Sequence, residues 1–486
     1  MMLLMAVVLW ATAVPQTQAQ DESLLWSVPR LISNPGINNT SATEMVPDPH
    51  GFVHVFWTEL NPEDASMTIQ YATFDGVVWT EPNDLVATPP GVKIPSFSPA
   101  LGSDGVLHLV WNENNLGPLH YKSAPALQAG SANAWERKPS LDLPVYQARL
   151  AVDSKNTLHL MYVNFYGEEP GIYYTQSTDQ AETWSQTIWL DPDIPTFATP
   201  SALNFLIDNK DGLHASWFYA ATKLESPLGI WIRYSHSLDG GTTWSAPFTI
   251  DEADESEDEL RQPEPGLAIS GDTVHIVYAG TVDTEREHRY SLDRGVTWSS
   301  TKRILDGLLG QAIGDGFAVD SLGRIHFFGQ IRWPQGVYHS YWDPTRPDDG
   351  WSTPQMAYVI AENSEIGRRG RYHSHRLKGA ALNGNMLVVT FTDEATGPEY
   401  AIWRKLDDVP AIDPIPIPTI TPTPVATATP LPGATPTPTP LPFAGTDLAA
   451  PEAPTNAGLG IWVGVVPALL FLFGMLGYRF YKSYNS

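Results

Sequence analysis

The chain contains no cysteine in 486 residues. Disulfides, thiolate metal sites and cysteine nucleophiles are excluded together, so a fold of this length must be held by packing and hydrogen bonding alone. Positive charge is also scarce: 28 Lys+Arg stand against 54 Asp+Glu, a formal net charge of -26. Such a chain repels a phosphate backbone, no basic stripe offsets the repulsion, and nucleic acid is not expected as a partner. The sequence also lacks a P-loop, a dinucleotide fingerprint, HExxH and GxSxG, and no cofactor is expected. What it does have is 42% hydrophobic residues and 17 Trp. That is ample for an ordered interior, but it is spread over a length at which a single core stops growing.

Repetition resolves that conflict. SLDGGTTW at Ser237–Trp244 recurs as SLDRGVTW at Ser291–Trp298 and as STDQAETW at Ser177–Trp184, the last with Ala181 in place of the glycine. In each, Asp179, Asp239 or Asp293 and the Ser two positions earlier can cap backbone N–H groups of a turn. Gly241 and Gly295 permit positive φ, and Trp184, Trp244 and Trp298 anchor the following strand. These residues are read as structural. The pattern S-x-D-x-G-x-T-W resembles the Asp box (BNR repeat) of propellers in the sialidase-like superfamily, a folding motif shared by enzymes and binding proteins.

A second motif precedes each such hairpin: PDPHGFVHVFW from Pro47, GSDGVLHLVW from Gly102, VDSKNTLHLMY from Val152, DNKDGLHASW from Asp208, SGDTVHIVY from Ser270, DSLGRIHFF from Asp320 and LNGNMLVVTF from Leu382. Each reads as a strand, a tight Asp/Gly/Asn turn and an apolar second strand, with a period of about 50 to 60 residues that suits four strands per repeat. Third strands come next, and fourth strands open with a Trp signature in six repeats. The missing one is LWSVPRLI, Leu25–Ile32, at the start of the chain. The expectation is an all-β fold, a seven-bladed β-propeller over residues 23–408 whose N-terminal strand closes the last blade and protects its edge. The sialidases it resembles have six blades, so the count is a departure from them.

The ends suggest export and tethering. Residues 1–19 read as a signal peptide, although no Lys or Arg lies near the start. Residues 409–457 are a Pro/Thr-rich linker of extended stalk character, and 459–478 are an uncharged transmembrane helix. Residues 479–486, with Arg479 and Lys482, form a cytoplasmic tail. This places the body on the extracellular face of the membrane. LPFAG at Leu441–Gly445 is similar to a sortase signal and offers wall anchoring as the minor alternative.

Turns after strands one and three share one face of such a disk, which leaves the longer loops to the other. There Arg149, Arg261, Arg371, Arg376 and Trp333 are the candidate ligand-binding residues. Resemblance to sialidases implies an arginine clamp for a substrate carboxylate, a Tyr nucleophile with a Glu partner and an Asp acid/base. Tyr146, Tyr372 and Glu264 are the weak catalytic candidates. No arginine occupies the first inner strand, where INNTSATEMV runs from Ile37, so one arm of that clamp is missing. The acidic run Asp251–Leu260 has no EF-hand spacing and reads as a solvated loop. His54, His108, His159, His214, His275 and His326 recur on equivalent second strands, too far apart to share a metal, and no metal site is assigned. Two functions stay open: a surface propeller that binds an extracellular glycan or protein without a catalytic set, or an exo-sialidase or related glycoside hydrolase.

Overall fold

The second strand of each repeat is an almost unbroken apolar run, as in Phe52–Leu60 (FVHVFWTEL) and Leu158–Asn164 (LHLMYVN), because both of its faces are covered. A strand buried on both sides needs a neighbouring sheet on each, and the chain supplies these as a ring. The computed structural model describes residues 25–417, apart from 36–39, 115–116, 144, 165–169, 193–197, 224–225, 253–263, 281–285, 306–307, 312–314, 334, 360–376 and 393–396. Side chains are also left out at 41–42, 198–199, 220–230, 309–311 and 332–335. The expected transmembrane segment and most of the linker therefore lie outside the described residues. Among the described residues no helix is long and apolar enough to cross a membrane.

Seven antiparallel sheets succeed one another along the chain. The first strands of the seven blades are Thr40–Asp48, Ser96–Leu101, Gln147–Val152, Ala198–Ile207, Gly266–Ser270, Gly316–Val319 and Lys378–Leu382. Each lies against the next, and the last lies against the first. The molecule is thus an all-β seven-bladed propeller with these strands around its axis. Blade 6 departs from the pattern, because two short strands, Leu309–Gln311 and Gly316–Val319, both pair with Ile325–Trp333 at its inner edge.

The apolar interior is not one core. Among the described residues it forms seven clusters, one at each blade boundary, such as Leu85 with Trp111 between blades 1 and 2 and Tyr174 with Trp217 between blades 3 and 4. A chain too long for one core has become a closed series of small ones.

Ring closure uses the N-terminus as the spacing of Leu25–Ile32 predicts: Arg30–Leu31 pairs with Tyr400–Ala401 on the outer edge of blade 7. The Trp signature does not itself carry the strand pairing. In six blades the paired strand begins four residues after its Trp: Trp26 to Arg30, Trp79 to Asn83, Trp184 to Ile188, Trp244 to Phe248, Trp298 to Lys302 and Trp351 to Gln355. The residue after each of these Trp forms a clasp on the third strand. Ser27 donates its N–H to the Trp403 carbonyl at 2.9 Å, and its hydroxyl accepts the Trp403 N–H at 3.0 Å. Thr80, Ser185, Ser245, Ser299 and Ser352 do the same in their own blades. The N-terminal segment is therefore held by the same local chemistry as an ordinary fourth strand. Glu59 of blade 1 adds a latch, accepting from the backbone and side-chain nitrogens of Asn34 at 2.9 Å each.

At the other end, the chain that leaves blade 7 runs across the tight-turn face. The Ile412 N–H donates to Asn383 and the Ile415 N–H to Pro49, both at 2.8 Å, and the Ser321 hydroxyl donates to the Pro410 carbonyl at 2.5 Å. These partners belong to the first turns of blades 7, 1 and 6. The opening of the segment read as a linker thus straps the seam of the ring, and the compact unit extends to Pro418.

Candidate functional site

The S-x-D-x-G-x-T-W turns are closed by their own side chains. The Ser237 hydroxyl donates to Asp239 Oδ1 at 2.8 Å and accepts the Gly241 N–H at 2.8 Å. Asp239 in turn accepts the N–H of Thr243 at 2.9 Å and its hydroxyl at 2.6 Å. The turns at Asp179 and Asp293 repeat this network. The hydrogen bonds from Thr183 and Thr243 hold Asp179 and Asp239 down to about 2, so both are committed acceptors and unsuited to proton donation.

The recurrent histidines are consumed within their blades. His54 and His214 each bridge a Tyr hydroxyl of the third strand (Tyr71 at 2.7 Å, Tyr234 at 2.6 Å) and an Asp of the first turn (Asp48 and Asp208, both at 3.0 Å). His108 and His159 pair in the same way with Tyr121 and Tyr174. In blades 5 and 6 the partner is a second histidine: His275 with His288 at 2.9 Å and His326 with His339 at 2.8 Å. Among the described residues no group of His, Asp and Glu is arranged to hold a metal.

The opposite ends of the first strands converge on a cavity of about 210 Å³ to which all seven blades contribute. Three departures from regular strand geometry shape it. Register shifts interrupt the first strand of blade 1 between Thr40 and Thr43 and that of blade 4 between Ser201 and Asn204, where Ala202 takes φ +47°. The third is the divided inner edge of blade 6, where Asp315 directly precedes Gly316–Val319. Such irregularities re-aim side chains that a regular pleat would bury between blades.

Charge on the wall is organised around Glu44 of blade 1. Its two oxygens face different cations from different blades: Arg149 of blade 3 at 3.7 Å and Lys378 of blade 7 at 3.1 Å. Arg149 is also anchored to the Phe97 and Ala148 carbonyls at 3.4 and 3.1 Å. Asp315 of blade 6 is gripped by Arg286 of blade 5 through two contacts of 2.9 and 3.2 Å. Burial pushes the Asp315 carboxyl up, and the guanidinium opposes that shift. Thr43, Ser96, Gln147, Ser201 and Asn204 add hydroxyl and amide groups, and Tyr146 is an aromatic member of the lining.

Of the residues singled out from sequence, Arg149, Tyr146 and Glu264 line this cavity. Arg261, Arg371, Arg376 and Tyr372 lie outside the described residues, as do residues 253–260 of the acidic run. Trp333 ends the second strand of blade 6, and its side chain is not described. Asp179, Asp239, Asp293 and their tryptophans lie at the opposite ends of the strands from the cavity. Sequence reasoning missed Glu44, Lys378, Asp315 and Arg286. Lys378 and Asp315 stand at the starts of innermost strands, a position that aligning the repeats there would have flagged, whereas Glu44 is the fifth residue of Thr40–Asp48. Ser96, Gln147 and Asn204 were also missed. They bond backbone groups of the following blade and so build the wall as well as line it.

No family model matches the chain, and no curated protein matches it. Solved structures do. A protein of unknown function from Dyadobacter fermentans is 13% identical with a TM-score of 0.45, covering 78% of this chain and 98% of its own. A polysaccharide lyase, an ulvan lyase, is 11% identical with a TM-score of 0.48, covering 76% and 94%. The intramolecular trans-sialidase from Ruminococcus gnavus is 10% identical with a TM-score of 0.42, covering 80% and 98%. At these identities and scores the likenesses assign no activity or ligand.

Proposed function

We propose that this propeller binds an extracellular saccharide through the axial cavity, taking one acidic sugar unit or chain end. The observation that carries this reading is the composition of the cavity wall. Arg149 and Lys378 converge there, surrounded by hydroxyl, amide and aromatic groups suited to a polyol. At about 210 Å³ the cavity is smaller than the roughly 300–1,000 Å³ typical of drug-sized ligands, so it favours a single small polar unit over a long chain. Glu44, Glu264 and Asp315 line the same cavity, so an anionic unit is received by direct contact with Arg149 and Lys378 in place of Glu44 and not by a net positive field. The sequence ends support the companion reading of an exported protein displayed at the cell surface.

Hydrolysis is the second reading, favoured by Asp315, a cavity carboxyl whose proton affinity is raised by burial. The bidentate hold of Arg286 works against it, since a general acid must release its proton to the substrate and Arg286 stabilises the ionised carboxylate instead. Binding without turnover is therefore the better-supported function.

A panel of acidic and neutral oligosaccharides, tested by calorimetry beside a fluorogenic sialoside assay, examines both readings. Arg149→Ala and Lys378→Ala are expected to abolish acidic-saccharide binding while leaving the propeller folded. Sialoside turnover lost in Asp315→Asn would establish the hydrolase reading instead. Absence of binding to every saccharide would reject the proposal.

A further inference from the structure

We infer that Glu44 is a built-in counter-ion of the axial site: it occupies, between Arg149 and Lys378, the place a ligand carboxylate takes, and so sets how strongly and how selectively acidic saccharides bind. This rests on the saccharide-binding reading above and adds the element that tunes it.

A single carboxylate whose two oxygens serve two different cations, 3.7 Å from Arg149 and 3.1 Å from Lys378, presents the pattern that an acidic sugar would present to the same pair. The three side chains come from blades 1, 3 and 7, so the arrangement exists only at the axis of the closed ring. The Glu44, Arg149 and Lys378 side chains are 21, 22 and 32% exposed, so the ion pairs lie where a group entering the cavity can reach them. Arg149 is also held by the Phe97 and Ala148 carbonyls, which keep its guanidinium on the wall when Glu44 moves aside. Glu44 directly follows the register shift in its strand, so the irregularity that shapes the cavity is also what sets its side chain there.

The exchange is balanced in charge. An incoming carboxylate displaces the Glu44 carboxylate from the two cations, and Glu44 turns to solvent. A neutral saccharide gains nothing from that displacement and leaves Glu44 in place. Glu44 therefore weakens acidic ligands by direct competition and leaves neutral ones unaffected.

The test titrates the full chain with N-acetylneuraminic acid, a galacturonate trimer and neutral maltotriose, comparing wild type, Glu44→Gln and Glu44→Asp, with circular dichroism as the check of folding. Glu44→Gln is expected to bind the acidic probes about tenfold tighter, with steeper weakening by salt, and maltotriose unchanged. Glu44→Asp, which keeps the charge on a shorter stem, is expected to fall between them. Acidic binding seen only in Glu44→Gln would support the inference in its strongest form. If wild type binds an acidic probe and Glu44→Gln binds it equally or less tightly, the inference is wrong while saccharide binding stands. Binding of maltotriose alone by all three proteins would likewise overturn the inference and leave saccharide binding standing. If none of the three binds any probe, both readings fall.

Discussion

Gly241 and Gly295 take positive φ, +86° and +87°, but the neighbouring blade constrains them more tightly than the turn does. A Cβ on Gly241 would lie 1.9 Å from the Tyr174 hydroxyl of blade 3, and one on Gly295 would lie 1.9 Å from that of Tyr234 in blade 4. Gly241→Ala therefore combines left-handed strain of roughly 1–2 kcal/mol with a steric clash. It is expected to cost at least about 2 kcal/mol in urea unfolding. The third turn already carries Ala181 at φ +67°, so Ala181→Gly is expected to be neutral or to stabilise by up to about 1 kcal/mol. A loss in Gly241→Ala no larger than the gain in Ala181→Gly would show that the tyrosine contact plays no part. Glu399 is another residue whose cost comes from its surroundings. It is 2% exposed at the seam of blades 7 and 1, and burial pushes its carboxyl up to about 7 against the partial hold of Thr43, Thr390 and Thr40. Because the folded state binds this proton more tightly than the unfolded chain, its contribution is fully present below about pH 4.5 and is lost as pH rises through 7. Glu399→Gln should raise stability by roughly 3 kcal/mol at pH 8 and far less at pH 4.5, read as the difference in unfolding free energy at the two pH values.

At the scale of elements, the two chain ends act on one seam by different means. The N-terminal strand supplies the outer edge of blade 7, with Trp26 in the cluster between blades 6 and 7 and Ile32 in the cluster between blades 7 and 1. Removing residues up to Ser33 would strip that edge of Glu399–Lys405 and reopen both clusters. The expected result is an aggregating protein without a cooperative unfolding transition. The strap over Pro410–Ile415 is lighter. A chain ending at Val409 would lose three hydrogen bonds across blades 6, 7 and 1, worth about 1 kcal/mol each. It should still fold, with its thermal midpoint lowered by a few degrees. An unchanged midpoint would show that the strap only rests on the turn face.

The whole molecule carries an acid sensitivity that stems from its seven small cores. Each boundary is lean in volume, and the polar links that fill it include histidines buried in the neutral form. Burial lowers His108 to about 4 and His288 to about 3, and takes His275 and His339 well below the ordinary imidazole range. The unfolded chain takes up these protons first, so the histidines contribute their stability above about pH 6.5 and lose it as pH falls toward their folded values. For His108 alone the loss by pH 4 is about 3 kcal/mol. Glu399 acts in the opposite direction over nearly the same interval, but it is one group against several. The net expectation is a protein most stable near neutral pH whose urea midpoint falls steeply below pH 6, with more than one proton taken up per molecule. A flat profile between pH 7 and 5 would contradict the neutral assignment of these histidines.

Local pattern in the chain was enough to establish the all-β class, the number of blades and the closure of the ring by Leu25–Ile32. All of these rest on short-range signals: alternation within a strand, the residues a tight turn demands, and a Trp–Ser clasp that looks the same at the N-terminus as in the body. The axial site was legible only in part. Arg149, Tyr146 and Glu264 could be placed near the starts of first strands, but nothing local marks Glu44 as the partner of Arg149 and Lys378, or Asp315 as the partner of Arg286. Those residues are far apart in sequence and meet only because seven strand ends are drawn to one axis. Which side chains turn inward there depends on register shifts in blades 1 and 4 and the divided edge of blade 6. A shift of one residue exchanges the faces of a strand, and where it occurs is set by how neighbouring blades pack.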